Sequence, residues 1–326
     1  MVGPSTLARG VQGGKALSMD IKHILLAVDR DSSDGAVTVA GALARRLSAR
    51  ITLVHFERDD AVGRVTIARA IHALDQWAVT ADIRLEPPTA GATVAESLLA
   101  VAAAVKPDLV VLGSHGHPAP VASLFGSVSR EVARRALWPV LIARKKVRRR
   151  PSARLLLVVT EETLGSSELE VGLELARGLS ARVTVLHVHG PLEEAVEDLM
   201  KVPNGRRLDH LTNGLLTKFR AAGVVTDIVI AGNRDGLASE VSRAALSTDC
   251  DLVVIPGGTT DTVERWLLGT VEEEIGRRSQ LAVVVTPPTR TARVGPGDRR
   301  TVSPWQRLQV GIHRKPPHDD SWIERT

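Results

Sequence analysis

Short runs that are apolar at nearly every position recur along the chain, separated by longer segments whose apolar residues fall at helical spacing. HILLAV (23–28) and DLVVLG (108–113) are such runs. They lack the alternation of a strand with one wet face and fit strands buried on both faces of a sheet. The pattern predicts strands over 23–28, 51–55, 82–85, 108–113 and 139–143, and again near 154–159, 182–188, 225–230, 251–255 and 282–286. The segments between them have helical length; 92–105, with Val94, Leu98, Leu99, Val101 and Ala102, is one. Alternation of this kind predicts an α/β fold with a parallel, doubly wound sheet. Ligands in that architecture sit beyond the carboxyl ends of the strands, at the topological switch point.

The pattern is written twice. LARRLSARITLVH (43–55) matches LARGLSARVTVLH (175–187) at nine of thirteen positions, at an offset of 132 residues. Asp108-Leu109-Val110-Val111 matches Asp251-Leu252-Val253-Val254, and Leu124-Phe125-Gly126-Ser127-Val128 echoes Leu267-Leu268-Gly269-Thr270-Val271, both at an offset of 143. Whole-domain duplication explains this better than a short solenoid repeat. The extra eleven residues enter between the second and fourth strands of the second copy. The division expected is a disordered segment over 1–20, a domain over 21–144, a basic linker over 145–152, a second domain over 153–287 and a largely disordered basic tail over 288–326.

Composition adds constraints. The 326 residues contain no Tyr, three Phe and five Trp, so the cores must be built from Val, Leu, Ile and Ala. The single cysteine, Cys250, excludes an internal disulfide framework and fits a reducing compartment, with Cys250 itself a buried small residue. No apolar stretch is long enough to span a bilayer and the first twenty residues lack a secretory h-region, so a cytoplasmic protein without a membrane partner is expected. The formal net charge of +5 is unevenly placed. Residues 144–150, the tail and the first twenty residues together hold eleven net positive charges, which leaves the rest of the chain six net negative. The basicity lies in connectors, which argues against a nucleic-acid-binding face on a domain.

Chemistry concentrates at the strand ends of the first half. Asp29 follows the first strand, Gly113-Ser114-His115-Gly116 follows the fourth, and nine residues later Gly126-Ser127 opens the next helix. Glycines there let backbone N–H groups approach a bulky anion, and the start of the helix favours phosphate. No Gly-Lys-Ser/Thr triplet follows, and the spacing is not G-x-G-x-x-G, which excludes a Walker loop and a dinucleotide fingerprint.

The spacing Gly113, Gly116, Gly126-Ser127 resembles the ATP-binding signature of universal stress proteins, and Asp29 and His55 resemble that family as well. The likeness covers 20–144 and 152–287. It implies two tandem domains, each with a five-stranded parallel sheet in the order 3-2-1-4-5 and helices on both faces. It also implies pairing of the last strands, 139–143 and 282–286, into an intramolecular pseudo-dimer; a homodimer is a further option. By the same resemblance Ala27, Val28 and Asp29 hold the adenine and Phe56 lies against the base. His115 and Gly116 approach ribose or phosphate, and Gly126, Ser127, Val128 and Ser129 hold the triphosphate. The ligand implied is an adenine nucleotide, ATP, with Mg2+ as its companion cation. Two departures stand out. Phe56 is larger than the usual aliphatic residue, so it either stacks on adenine or fills the pocket. Asp31 replaces a common Ser and repels phosphate unless a divalent cation intervenes.

The second half departs further. Thr160 stands at the place of Asp29, and Pro256 and Thr259 replace the two earlier glycines. Proline has no N–H to offer, and Glu272-Glu273-Glu274 puts carboxylates where phosphate would sit. Nucleotide binding is therefore expected in the first half alone. His115-x-His117 and His187-x-His189 lack further metal ligands, so no metal site is assigned. No nucleophile–base–orienter set is present, so no catalytic residue is assigned either. The leading expectation is an ATP-binding regulator of a stress response, acting on a protein partner with little or no turnover. The alternatives are a nucleotide-free interaction scaffold and a slow ATPase.

Overall fold

A computed structural model describes residues 20–30, 34–114, 126–144, 153–159, 167–189, 214–232, 237–256 and 282–287. The segments expected to be disordered or to form the linker lie outside these residues, Asp20 excepted.

The apolar runs form strands close to where the pattern places them. In the first half these are β1 (His23–Ala27), β2 (Arg50–Phe56), β3 (Ala81–Glu86), β4 (Leu109–Gly113) and β5 (Val140–Ala143). The second half supplies β6 (Arg154–Val159), β7 (Arg182–His189), β8 (Thr226–Gly232), β9 (Leu252–Pro256) and β10 (Ala282–Thr286). The helices are α1 (Asp34–Leu47), α2 (Asp60–Asp75), α3 (Val94–Val105), α4 (Ser127–Arg135), α5 (Ser167–Leu179), α6 (214–221) and α7 (Leu237–Ser247).

Local chemistry sets several boundaries. Thr93 and Glu96 form a reciprocal capping box at the start of α3, with Glu96 N donating to Thr93 Oγ1 at 3.1 Å and Thr93 N to Glu96 Oε2 at 2.9 Å. Lys106, in the left-handed region at φ 51°, ends the helix. Asp59 caps α2 by accepting from Ala61 N and Val62 N.

The strands form one ten-stranded sheet in the order β3-β2-β1-β4-β5-β10-β9-β6-β7-β8. Each half has the expected 3-2-1-4-5 order, parallel throughout. The halves meet where β5 and β10 pair antiparallel, Leu141 opposite Val284. Thr52 faces Asp82 and Thr184 faces Asp227, 30 and 43 residues apart, so the second half's extra length enters between β7 and β8.

Two apolar layers cover the sheet. One packs α1, α2, α5 and α6 on one face, through Leu43, Ile67, Leu175 and Phe219. The other packs α3, α4 and α7 on the opposite face, through Leu98, Val132 and Val241. Each layer draws residues from both halves, so each apolar core runs across the junction. Cys250 is buried beneath α7, where desolvation pushes its thiol up to about 12.

Candidate functional site

The site is built from the carboxyl ends of β1, β2 and β4 and the start of α4. Ala27 ends β1 and Phe56 ends β2; both are half-buried and pack, with Val128 of α4, against the apolar layer under α3 and α4. Three of the predicted residues thus share one apolar rim. Asp29 is half-buried just past β1. Val28 faces away from that rim: it belongs to the layer under α1 and α2. Its N–H donates to Val54 O at 3.0 Å, and its carbonyl lies 2.8 Å from His55 Nδ1. Both main-chain groups of Val28 thus have partners inside the protein, while its carbonyl keeps a second lone pair.

Gly113 ends β4 opposite Ala143 of β5, and Ser114 N donates to Ala143 O at 2.9 Å. Gly126, the N-cap of α4, donates its N–H to Ser114 O. Ser129 Oγ donates within 3.2 Å of Ser114 O and 3.1 Å of Gly126 O. The Ser114 carbonyl thus ties together the two ends of the segment 115–125. The Ser129 side chain, buried, belongs to this latch, which leaves its backbone N–H as the group it offers to a ligand. His115 and Gly116 lie outside the described residues, as does Asp31.

Among the described residues no side chain caps α4. The N–H groups of its first turn, at Ser127, Val128 and Ser129, have no partner within the helix, and Ser127 is exposed. Such a helix start attracts anions. Gly126 has φ −70°, and Gly113 is not among the described glycines with positive φ, so neither is required for a left-handed backbone.

An ion pair that the sequence reading missed borders the site. Arg30 follows Asp29 and binds the Glu57 carboxylate through Nε at 3.1 Å and through Nη2. Glu57 Oε1 also accepts from Arg58 N at 2.9 Å. The guanidinium contact first, then the backbone donors at Asp59 and Arg58, hold the Glu57 carboxyl down to about 2. The pair joins the loops after β1 and β2. Its two residues are 27 apart in sequence, and only the parallel β1–β2 pairing brings them together.

The matching edge of the second half differs. β9 ends in Pro256, paired with Thr286, where β4 ends in Gly113, paired with Ala143. Thr286 is buried, and its hydroxyl donates to Ile255 O at 3.4 Å. Thr160, Thr259 and residues 269–274 lie outside the described residues. His187 is buried within β7, and no group of metal-ligating side chains occurs among the described residues. Among them, too, no helix is long and apolar enough to cross a membrane.

Comparison with known proteins gives the family and supports the fold. The universal stress protein family model matches residues 20–144 and 153–287. A putative universal stress protein from Pseudomonas aeruginosa UCBPP-PA14 is similar in structure, with TM-score 0.58 and 19% identity over 83% of this chain and 95% of that one. One from Archaeoglobus fulgidus DSM 4304 gives TM-score 0.54 and 13% identity over 83% and 98%. Another Archaeoglobus fulgidus universal stress protein, solved in complex with dAMP, is 23% identical over 38% of this chain and 98% of its own, with TM-score 0.31. No curated protein matches the sequence. With the family model matched twice in tandem across most of its length, the chain belongs to the universal stress protein family.

Proposed function

We propose that the first half binds an adenine nucleotide, ATP with Mg2+ at its phosphates, and that occupancy regulates contacts with a protein partner during a stress response, with little or no turnover. The observation that carries this reading is the convergence at one strand edge of an apolar rim with an uncapped helix start. Ala27, Phe56 and Val128 offer a surface for a flat base. The N–H groups of Ser127, Val128 and Ser129 offer donors for phosphate oxygens. Asp29, two residues past the end of β1, would accept from a base amino group or a ribose hydroxyl. Mg2+ would offset the repulsion between phosphates and the carboxylate of Asp31. In the second half Pro256 stands where Gly113 ends β4 and has no N–H to give, so this reading assigns the nucleotide to the first half alone.

The test is mass spectrometry of small molecules released by denaturing freshly purified protein. About one adenine nucleotide per chain is expected, since this reading assigns a site to one half alone. It should vanish in Gly126→Asp, whose carboxylate would stand at the mouth of α4. No nucleotide, and no heat on adding Mg-ATP in calorimetry, would sink the proposal and leave a nucleotide-free scaffold. Phosphate release above background, lost in the same variant, would instead make the protein a slow ATPase.

A further inference from the structure

The helices α1 and α5 occupy equivalent places in the two halves and pack against each other across the junction. Their carboxyl-terminal turns are nearly the same sequence, Leu43-Ala44-Arg45-Arg46-Leu47-Ser48 against Leu175-Ala176-Arg177-Gly178-Leu179-Ser180. One position differs: Arg46 in the first half is Gly178 in the second. The contacts between the helices fall on that position. Gly178 is buried, and a Cβ there would lie 2.9 Å from Leu47 Cγ and 3.1 Å from Leu43 Cδ2. Leu47 and Leu43 therefore occupy the space that a side chain at 178 would need. Across the same contact Arg46 Nη1 donates to the hydroxyl of Ser180, a residue 134 positions away.

We infer that this unlike pair makes the α1–α5 surface selective for the other half of the same chain rather than for a like half of a second copy. Two like first halves would bring two Arg46 side chains together and leave no gap for Leu47. Two like second halves would bring two glycines together and lose the arginine–serine bond. Only the mixed pair combines the gap at 178 with the reach of Arg46. The surface is separate from the candidate nucleotide site, so the inference stands or falls independently of the function proposed above.

The residue that receives Arg46 has its own equivalent. Ser48 and Ser180 both end their helices in the left-handed region, at φ 52° and 50°. A transplanted arginine at 178 would thus find a serine held in the same backbone conformation. That symmetry supplies the test, made on the full chain by thermal unfolding. Gly178→Arg should lower Tm strongly, by roughly 10 °C, because it overpacks a buried contact. Arg46→Gly should lower it by roughly 2 °C, the effect of losing one exposed hydrogen bond and some helix propensity. The double exchange Arg46→Gly with Gly178→Arg should recover at least about half of the loss seen in Gly178→Arg alone, a non-additivity expected only of residues in contact. A double variant as damaged as the sum of the two single changes would overturn the inference. If neither variant with arginine at 178 folds, Gly178→Ala decides: a fall of roughly 5 °C supports the tight contact, and an unchanged Tm overturns it.

Discussion

The two halves share their strand order and, among the described residues, the helices that follow their first, second and third strands, but they differ at one edge of the sheet and largely agree at the other. At the carboxyl edge, Gly113 beside Ala143 becomes Pro256 beside Thr286. At the amino edge the same residues recur in register. Arg50, Thr52 and Asp82 in the first half correspond to Arg182, Thr184 and Asp227 in the second. Asp108 accepts from Lys22 N at 2.9 Å and His23 N at 2.8 Å, and its own N–H returns to His23 O at 2.8 Å. Asp251 repeats the device, accepting from Arg154 N at 2.9 Å and donating to Arg154 O at 2.8 Å. These carboxylates satisfy strand-end donors in either half. The amino edge thus serves the fold, which both halves need, while the carboxyl edge carries the chemistry proposed for one half. Open cavities of about 440 and 510 Å3 also lie along the amino edge, but none of the candidate nucleotide residues lines them.

The comparison can be broken most directly at the carboxyl edge. Gly126→Asp should weaken nucleotide binding by about 100-fold or more, since it adds a charge against phosphate where donors converge. Gly269→Asp, its sequence equivalent, should leave binding unchanged; calorimetry on both variants gives the contrast. Equal losses in the two would erase the distinction between the halves.

A smaller effect is expected at the amino edge. Asp108→Ala strands the N–H groups of Lys22 and His23, and Asp251→Ala strands that of Arg154. Losses of about 1 to 2 kcal/mol should follow in urea unfolding of either variant. Cys250, next to Asp251 and with its thiol raised to about 12 by burial, gives a second readout. It should resist thiol reagents near pH 8 in the native protein and react on unfolding, so each variant's reaction should speed up in step with its loss of stability.

The smallest effect distinguishes His23 from its counterpart Arg154. His23 is buried, with Nε2 2.9 Å from Thr52 Oγ1 and Nδ1 3.1 Å from Arg50 Nη2. Burial first, and then the Arg50 charge, lower its pKa. The unfolded chain therefore takes up a proton at a higher pH than the folded one. This contribution to stability is complete above the unfolded value of about 6.5 and is lost as pH falls from there toward the lower folded value, by at most about 1.4 kcal/mol per pH unit. His23→Gln should flatten that part of the stability–pH curve, measured by urea unfolding at successive pH values. An unchanged slope would show that His23 does not set it.

Much of the fold was legible because its signals are local. A strand buried on both faces must be apolar throughout, whatever its neighbours, so HILLAV and DLVVLG announce themselves. The duplication was legible because nine of thirteen residues survive between 43–55 and 175–187. The spacing of Gly113 and Gly126 was legible for the same reason: one strand–loop–helix unit contains it. The Arg30–Glu57 pair was not, because charged residues 27 apart carry no mark of contact until β1 and β2 align in parallel.

The sequence by itself determined the element order, the two copies, and the half in which the glycine spacing is intact. Each of these is written in the periodicity or spacing of neighbouring residues. Tertiary structure decided what depends on side-chain direction and distant packing. It turned Val28 away from the rim that Ala27 and Phe56 share, and it committed the Ser129 hydroxyl to the carbonyls of Ser114 and Gly126. It also set Leu47 against Gly178, so that a one-residue difference between the copies became a contact across the junction. Such contacts follow from close packing of elements far apart in the chain, and no local pattern encodes them.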